Sequence, residues 1–130
     1  MIGLDTNVLV RYLVQDDDLQ AKTAAKIIEA GDEFFINLIV ICELVWVLDS
    51  CYELNKKDII LIIEKLLTTR EITFEKRDTI WGALDDFKVN SVDFADCLIG
   101  RLNQSHDCET TLTFDKSLKK LNSFQFVTSY

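Results

Sequence analysis

The chain has 130 residues, of which 48% are hydrophobic, and a formal net charge of −8 at pH 7. This length suits one hydrophobic core, so we expect a single domain over residues 1–130. Because neither a bilayer-spanning stretch nor a signal peptide is recognisable, we expect a cytoplasmic protein without membrane association. The acidic charge argues against a protein that holds nucleic acid on an extended basic surface.

Short apolar runs alternate with segments of helical length along the chain. Runs rich in Ile, Phe, Val and Thr predict strands at Met1–Leu4, Glu33–Ile36, Glu71–Phe74, Thr110–Thr113 and Phe124–Val127. Helical periodicity, capping residues and the stop signal Gly31 predict helices at about Thr6–Val14, Asp18–Ala30, Leu38–Cys51, Asn55–Leu67, Lys76–Phe87 and Asp93–Asn103, with a short helix after Asp115.

Strands that alternate with helices indicate βαβ crossovers, which produce parallel sheets covered on both faces. The predicted fold class is therefore α/β. We expect a three-layer α/β/α sandwich around a central, mostly parallel five-stranded sheet.

The first strand ends at Asp5, within the stretch LDTNVLV. In open α/β sheets, functional sites gather beyond the carboxyl ends of the strands, which is where Asp5 lies. Asp5, Thr6 or Asn7 could instead cap the following helix, because all three residue types accept hydrogen bonds from free backbone N–H groups.

Glu43 is the single charged residue in the segment FFINLIVICELVWVL. An ionised carboxylate in a buried apolar setting is costly unless it is paired or binds a metal. We expect Glu43 to be a buried metal ligand. The alternatives are a buried salt bridge and a helix edge that reaches water.

Two more acidic groups follow in the second half of the chain. In SVDFADCLIG, Asp93 and Asp96 are three residues apart and share a helix face. Asp93 also suits a helix cap, whereas Asp96 suits one less well because it adjoins apolar Cys97. In TLTFDKSL, Asp115 comes just after a strand and can cap the next helix.

These acids converge on one predicted location, because Asp5 and Asp115 follow strands while Glu43 and Asp96 occupy helices that must pack beside the strand ends. Clustered carboxylates repel one another, and a divalent cation relieves that repulsion. Zinc is disfavoured, because His106 is the only histidine and the cysteines form no C-x-x-C pair. We expect the cysteines to be reduced and mostly packed in the interior: Cys42, Cys51, Cys97 and Cys108. Oxygen ligands favour Mg²⁺ or Mn²⁺, ions that activate water and stabilise charge on a phosphodiester.

The segments LDTNVLV, ICELVWVL, DFADCLIG and TLTFDKSL resemble, in this order, the acidic motifs of PIN domains, and their spacing fits almost the whole chain. Among PIN domains, the short chain is most similar to the VapC-type toxin ribonucleases of toxin–antitoxin pairs. The resemblance implies a Mg²⁺- or Mn²⁺-dependent endoribonuclease. Its catalytic and metal-binding acids would be Asp5, Glu43, Asp96 and Asp115.

The resemblance also implies supporting residues and partners. Thr6, Asn7 and Thr113 would be polar supports, and Asp93 would orient a water molecule on the metal. Such enzymes act on an RNA substrate, are usually homodimers and are held inactive by a cognate antitoxin protein. Asn37 stands where serine or threonine is common in the family, although asparagine also caps helices.

Basic residues near the proposed site are few, and Arg11, Arg101 and Lys116 are candidates for phosphate contacts or else ordinary solvated charges. Metal bound by the four site acids would halve the excess negative charge. We expect the remaining acidic pairs and triplets, Asp16–Asp18 and Asp85–Asp86, to lie in solvated turns or helix ends.

Two other functions are compatible with parts of this pattern. A phospho-receiver domain also places acids at strand ends, but it requires paired acids after the first strand, where this chain has one. A PIN domain could also act as a binding module without turnover. A set of apolar helix residues could form a groove for an antitoxin, a dimer contact or ordinary core: Val45, Trp46, Leu48, Ile59, Ile60 and Ile63.

Overall fold

The computed structural model describes residues 1–15 and 18–128, so Asp16 and Asp17 of the predicted acidic turn lie outside the described residues. The strands are β1 (Ile2–Gly3), β2 (Phe34–Ile36), β3 (Ile72–Phe74), β4 (Thr111–Thr113) and β5 (Phe124–Phe126). The α-helices are α1 (Thr6–Val14), α2 (Asp18–Glu29), α3 (Leu38–Ser50), α4 (Lys56–Leu67), α5 (Arg77–Val89) and α6 (Phe94–Ser105), and a 3₁₀ helix spans Lys116–Lys120. All the predicted elements are confirmed, with ends that differ by one or two residues.

Capping residues explain where several helices begin and end. The Asn37 side chain accepts a hydrogen bond from the Val40 N–H at 2.9 Å, and Asn55 accepts one from the Asp58 N–H at 2.8 Å. Each bond satisfies a backbone donor that has no partner within its own helix. Gly31, just beyond α2, has φ of +90°, a conformation that glycine adopts without steric cost.

The described contacts divide the chain into two compact units, and the first is Met1–Glu75. Its strands form a parallel sheet in the order β1-β2-β3, with Ile2 opposite Phe34 and Phe34 opposite Ile72. Helix α1 packs against α2 and α3, and α3 packs against α4. The core of this unit is built from fully buried side chains: Leu9, Phe34, Ile36, Ile41, Leu44, Leu48 and Ile63.

The second unit is Lys76–Tyr130, described as far as residue 128. Strands β4 and β5 pair in parallel, and α5 packs against α6 around buried Ile80, Leu84 and Cys97. Gly100 of α6 lies against the Ser123 side chain so closely that a Cβ at this position would overlap it. Glycine therefore allows α6 to approach the start of β5.

The single five-stranded sheet is not confirmed, because the strands in residues 1–15 and 18–128 form one sheet of three strands and another of two. The parallel direction of every pairing is confirmed. The prediction that residues 1–130 form one domain stays a prediction. None of the helices in the described part of the chain combines the length and apolar character needed to cross a membrane.

None of the cysteines, all four of which lie in the described part of the chain, forms a disulfide bond, and only Cys97 is buried. Cys42 is partly buried, and burial raises the pKa of its thiol. Cys51 and Cys108 are exposed, so the prediction that most of the cysteines are packed in the interior was wrong.

Candidate functional site

Asp5 connects the end of β1 to the first turn of α1. Its carboxylate is on an exposed residue, and Oδ1 accepts a hydrogen bond from the Thr6 N–H at 2.8 Å. The capping role considered for this position is thus present. It occupies one carboxylate oxygen and does not conflict with a ligand role for the other. Asn7 is also exposed, in the first turn of α1.

Thr6 joins the start of α1 to Glu43 of α3. The residue is 5% exposed, and its Oγ1 donates a hydrogen bond to Glu43 Oε1 at 3.1 Å. Because a buried hydroxyl keeps a fixed partner, this bond orients the Glu43 carboxylate. This hydrogen bond is a contact through which Thr6 could play the supporting role expected of it.

Glu43 itself is exposed, so the prediction of a buried carboxylate was wrong. The apolar residues Ile41, Leu44 and Leu48 follow each other at spacings of three and four, and they turn inward. Glu43 falls on the opposite side of α3, between exposed Ile39 and Trp46. Although the sequence of α3 is nearly all apolar, one face of the helix is exposed to solvent. A helix edge that reaches water was one of the alternatives considered for Glu43.

Asp96 lies in the first turn of α6 and is partly buried. Burial raises the pKa of its carboxyl, and the negative charges of Asp93 and Asp115 raise it further. Asp93 is exposed at the N-cap position of α6, but its side chain makes no capping hydrogen bond. Asp93 and Asp115 therefore act electrostatically on Asp96, as expected for acids that share a site.

Asp115 begins the 3₁₀ helix directly after β4. Its Oδ1 accepts hydrogen bonds from the Ser117 N–H at 2.9 Å and the Ser117 Oγ at 2.7 Å, and these bonds lower the pKa of the Asp115 carboxyl. Thr113 supports the same turn, because its Oγ1 accepts a hydrogen bond from the Asp115 N–H at 3.0 Å. Ser117 was not predicted, although serine two residues after aspartate is typical of such turns.

Glu75 is an acid that the sequence analysis did not single out. It follows β3, and its Oε1 accepts a hydrogen bond from the Leu38 N–H at 2.9 Å, at the start of α3. Glu75 and Asn37 thus both satisfy N–H groups at this helix terminus. Stabilising the start of α3 is the role that these contacts support for Glu75.

Two of the three proposed phosphate-binding residues are engaged in other contacts. Arg101 donates from Nε and Nη2 to the two carboxylate oxygens of Asp86, at 2.8 and 2.9 Å, and Asp86 is the main cause of its raised pKa. This paired geometry contradicts the prediction that the Asp86 side chain is solvated.

The other two candidates for phosphate contacts differ in exposure and pairing. Arg11 donates to Gln20 Oε1 at 2.6 Å and to the Tyr52 hydroxyl at 3.3 Å. Lys116, next to Asp115, is exposed.

The described residues contain the expected type of metal donor but no complete cluster. Within residues 1–15 and 18–128, no group of three or more His, Cys, Asp or Glu side chains is close enough to hold a metal ion. The donor chemistry fits a hard divalent cation, because carboxylate oxygens dominate and Asp96 experiences the negative charge of its neighbours. That all four acids share one site stays a prediction.

Parallel strands, intervening helices and acids placed after β1 and β4 define an α/β protein with carboxylates at strand ends. The chain belongs to the PIN domain family, whose model matches residues 2–123. It is also 27% identical over 131 residues to the VapC ribonuclease of Aquifex aeolicus (strain VF5), a match that covers 98% of this chain and 96% of that protein. The family assignment excludes the phospho-receiver alternative.

Proposed function

We propose that the protein is a metal-dependent endoribonuclease that acts as the toxin of a toxin–antitoxin pair. The similarity to a VapC ribonuclease extends over nearly the full length of both chains, which supports RNA as the substrate. The observation that carries the proposal is that Asp93 and Asp115 lie near enough to Asp96 to add to the effect of burial, which is the main reason that the pKa of the Asp96 carboxyl is raised. A partly buried carboxylate with two negative charges nearby is suited to a cation.

In the proposed site, Asp5, Glu43, Asp96 and Asp115 together hold Mg²⁺ or Mn²⁺. A bound divalent ion would activate water and stabilise the charge that develops on the phosphodiester. The chain's own residues would position the reacting groups.

Each of these residues has a distinct task in the proposal. Thr6 fixes the Glu43 carboxylate through the 3.1 Å hydrogen bond, and Ser117 holds the Asp115 carboxylate in place through two hydrogen bonds. Asp93, exposed beside Asp96, accepts a proton from the attacking water or orients that water. Lys116 contacts a phosphate of the RNA, since it is exposed directly beside Asp115.

The antitoxin would bind a groove between α1 and α2. This groove has a volume of about 390 Å³ and contains the exposed side chains of Leu19 and Ile27, with Asn7 and Arg11 also on its wall. Asn7 lies two residues after Asp5, so we expect a basic side chain of the bound segment to pair with the Asp5 carboxylate. A groove on α3 and α4 is not supported, because Val45, Leu48, Ile59 and Ile63 are core residues, which was the alternative considered for them.

The same α3 offers a contact for the proposed homodimer. Ile39 and Trp46 are 72% and 63% exposed and lie on the side of the helix that carries Glu43. Apolar side chains that are this exposed are typical of protein contacts when they lie together. Trp46→Glu should therefore shift the sedimentation of the protein from dimer to monomer.

The test of the proposed activity is RNA cleavage by the purified protein with Mg²⁺, with Mn²⁺ and with EDTA. We expect cleavage with either metal and none with EDTA. Asp96→Asn is the control for contaminating ribonuclease, since it keeps the side-chain shape and removes a ligand charge. Equal cleavage in EDTA by a preparation whose Asp96→Asn variant is inactive would exclude the metal mechanism, and RNA binding without cleavage would favour the binding-module alternative.

A further inference from the structure

Phe114 is the most exposed aromatic side chain among the large hydrophobic residues of the described chain, with 82% of its surface accessible. It lies between Thr113 and Asp115, directly after β4. Other phenylalanines in the same unit have partners: Phe87 and Phe94 pack edge to face at 5.7 Å, and the Lys119 ammonium lies 4.5 Å from the Phe126 ring. Phe114 is thus an aromatic face presented to solvent next to a proposed catalytic acid.

The backbone around Phe114 is held by hydrogen bonds on its C-terminal side. Asp115 donates its N–H to Thr113 Oγ1, so the bond closes directly around Phe114, and Asp115 Oδ1 accepts two hydrogen bonds from Ser117. Because the backbone is already held, only the two side-chain torsions of Phe114 lose freedom when a ligand covers the ring. The position is therefore suited to binding a flat partner.

The charge of the chain limits the ways in which RNA can be held. Because the net charge is −8, the long-range electrostatic force between the protein and RNA phosphates is weakly attractive at best and otherwise repulsive. Stacking of a base on an aromatic ring does not depend on net charge. Lys116 lies two residues from Phe114 and is exposed, so a local cation is available for one phosphate. An aromatic face and a cation on either side of an acid fit a single nucleotide.

We propose that Phe114 stacks on an unpaired base of the RNA, at or next to the phosphodiester that is cleaved. The inference rests on the proposed ribonuclease function and assigns a base-binding residue to the proposed site. Adjacent Cα atoms are about 3.8 Å apart, so the stacked base belongs to a nucleotide close to Asp115. Because bases in an A-form duplex are stacked on each other, the substrate at this position is single-stranded.

Binding without cleavage can be measured on the Asp96→Asn variant by fluorescence anisotropy. The probes are a fluorescein-labelled unstructured RNA oligonucleotide and a hairpin-free RNA duplex of the same strand. Adding Phe114→Ala should weaken binding of the single strand by roughly five- to a hundredfold, and Phe114→Tyr should restore it. Leu112→Ala is the matched control, because Leu112 is also exposed on β4 and its loss should change the affinity less than about twofold.

The outcomes separate this inference from the function on which it rests. If Asp96→Asn binds the single strand and Phe114→Ala binds it equally well, stacking is excluded while the ribonuclease proposal stands. The same conclusion follows if Phe114→Ala weakens duplex and single-strand binding equally. If Asp96→Asn binds neither probe and the wild type cleaves no RNA, both proposals are wrong. Circular dichroism should give identical spectra for all variants, since Phe114 contributes little to the core.

Discussion

Thr6 Oγ1 donates a hydrogen bond to Glu43 Oε1 across 3.1 Å, linking the first turn of α1 to the middle of α3. The donor belongs to a buried residue and the acceptor to an exposed one. Packing of the first unit thereby fixes the direction of a carboxylate that otherwise faces solvent. In the proposed enzyme this bond prepares Glu43 for a cation.

Replacing Thr6 tests that role. Thr6→Val keeps the shape and removes the hydroxyl, so Mn²⁺ affinity and RNA cleavage should fall roughly ten- to a hundredfold, as is typical when a residue that orients a ligand is lost. Thr6→Ser retains the hydroxyl and should stay near wild type. Stability should change by less than about 1.5 kcal/mol, measured by urea unfolding. Full activity in Thr6→Val would show that Glu43 needs no such support.

Removing the charge of Asp96 should stabilise the metal-free protein. The folded-state pKa of Asp96 is raised, so its contribution to stability is present below the unfolded pKa of about 3.9 and is lost as the pH rises through the folded pKa. Asp96→Asn avoids that loss, and the gain should be below about 1 kcal/mol because the group keeps contact with solvent. Thermal melts in EDTA should place the variant above the wild type at neutral pH and level with it at about pH 3. A variant that melts lower at neutral pH contradicts this sign.

Asp115 should show the opposite linkage. Its pKa is lowered by the hydrogen bonds from Ser117, so the stability that it contributes is present above its unfolded pKa and is lost as the pH falls through the folded value. Ser117→Ala removes the hydroxyl bond and should raise the pKa of Asp115, which carboxyl-carbon NMR titration can follow. Thr113→Val leaves both Ser117 bonds intact and is the control. If the titration of Asp115 is unchanged in Ser117→Ala, the Ser117 hydroxyl does not lower the pKa of Asp115.

Arg101 and Lys116 should separate stability from RNA binding. Arg101→Ala breaks the two hydrogen bonds to Asp86 and should destabilise the protein by about 1 kcal/mol, with little change in RNA affinity. Lys116→Ala should leave unfolding unchanged and weaken RNA binding. Lys88→Ala removes a surface charge whose ammonium lies 3.9 Å from Asp85, and it is the control for removing a positive charge away from the proposed site. If Arg101→Ala is stable but binds RNA more weakly, the result would contradict this prediction and show that Arg101 contributes to RNA binding.

The elements of the fold were predictable because local signals agree with the structure. Asn37, Asn55 and Asp115 cap the helices that the sequence assigned to them, and Gly31 follows the end of α2. The pairing of strands was predicted less well, because strands of two or three residues carry too little pattern to determine which edges meet.

The site was predictable at the level of residue type but not of environment. Glu43 appeared buried because its neighbours in sequence are apolar, yet Ile39 and Trp46 are themselves exposed. Sequence reasoning assumes that apolar residues point inward, and an exposed apolar face breaks that assumption. The pairing of Arg101 with Asp86 was also missed, since the two residues are 15 positions apart on different helices.

The central claim is that Asp5 and Glu43 share one metal site with Asp96 and Asp115. Its most direct test is equilibrium titration with Mn²⁺, followed by electron paramagnetic resonance, of the wild type and the variants Asp5→Asn, Glu43→Gln, Asp96→Asn and Asp115→Asn. Each variant should bind Mn²⁺ at least about tenfold more weakly, whereas Asp49→Asn, which changes an exposed acid elsewhere on α3, should bind like the wild type. If Asp5→Asn and Glu43→Gln keep wild-type affinity while Asp96→Asn and Asp115→Asn lose it, the four acids do not form one site.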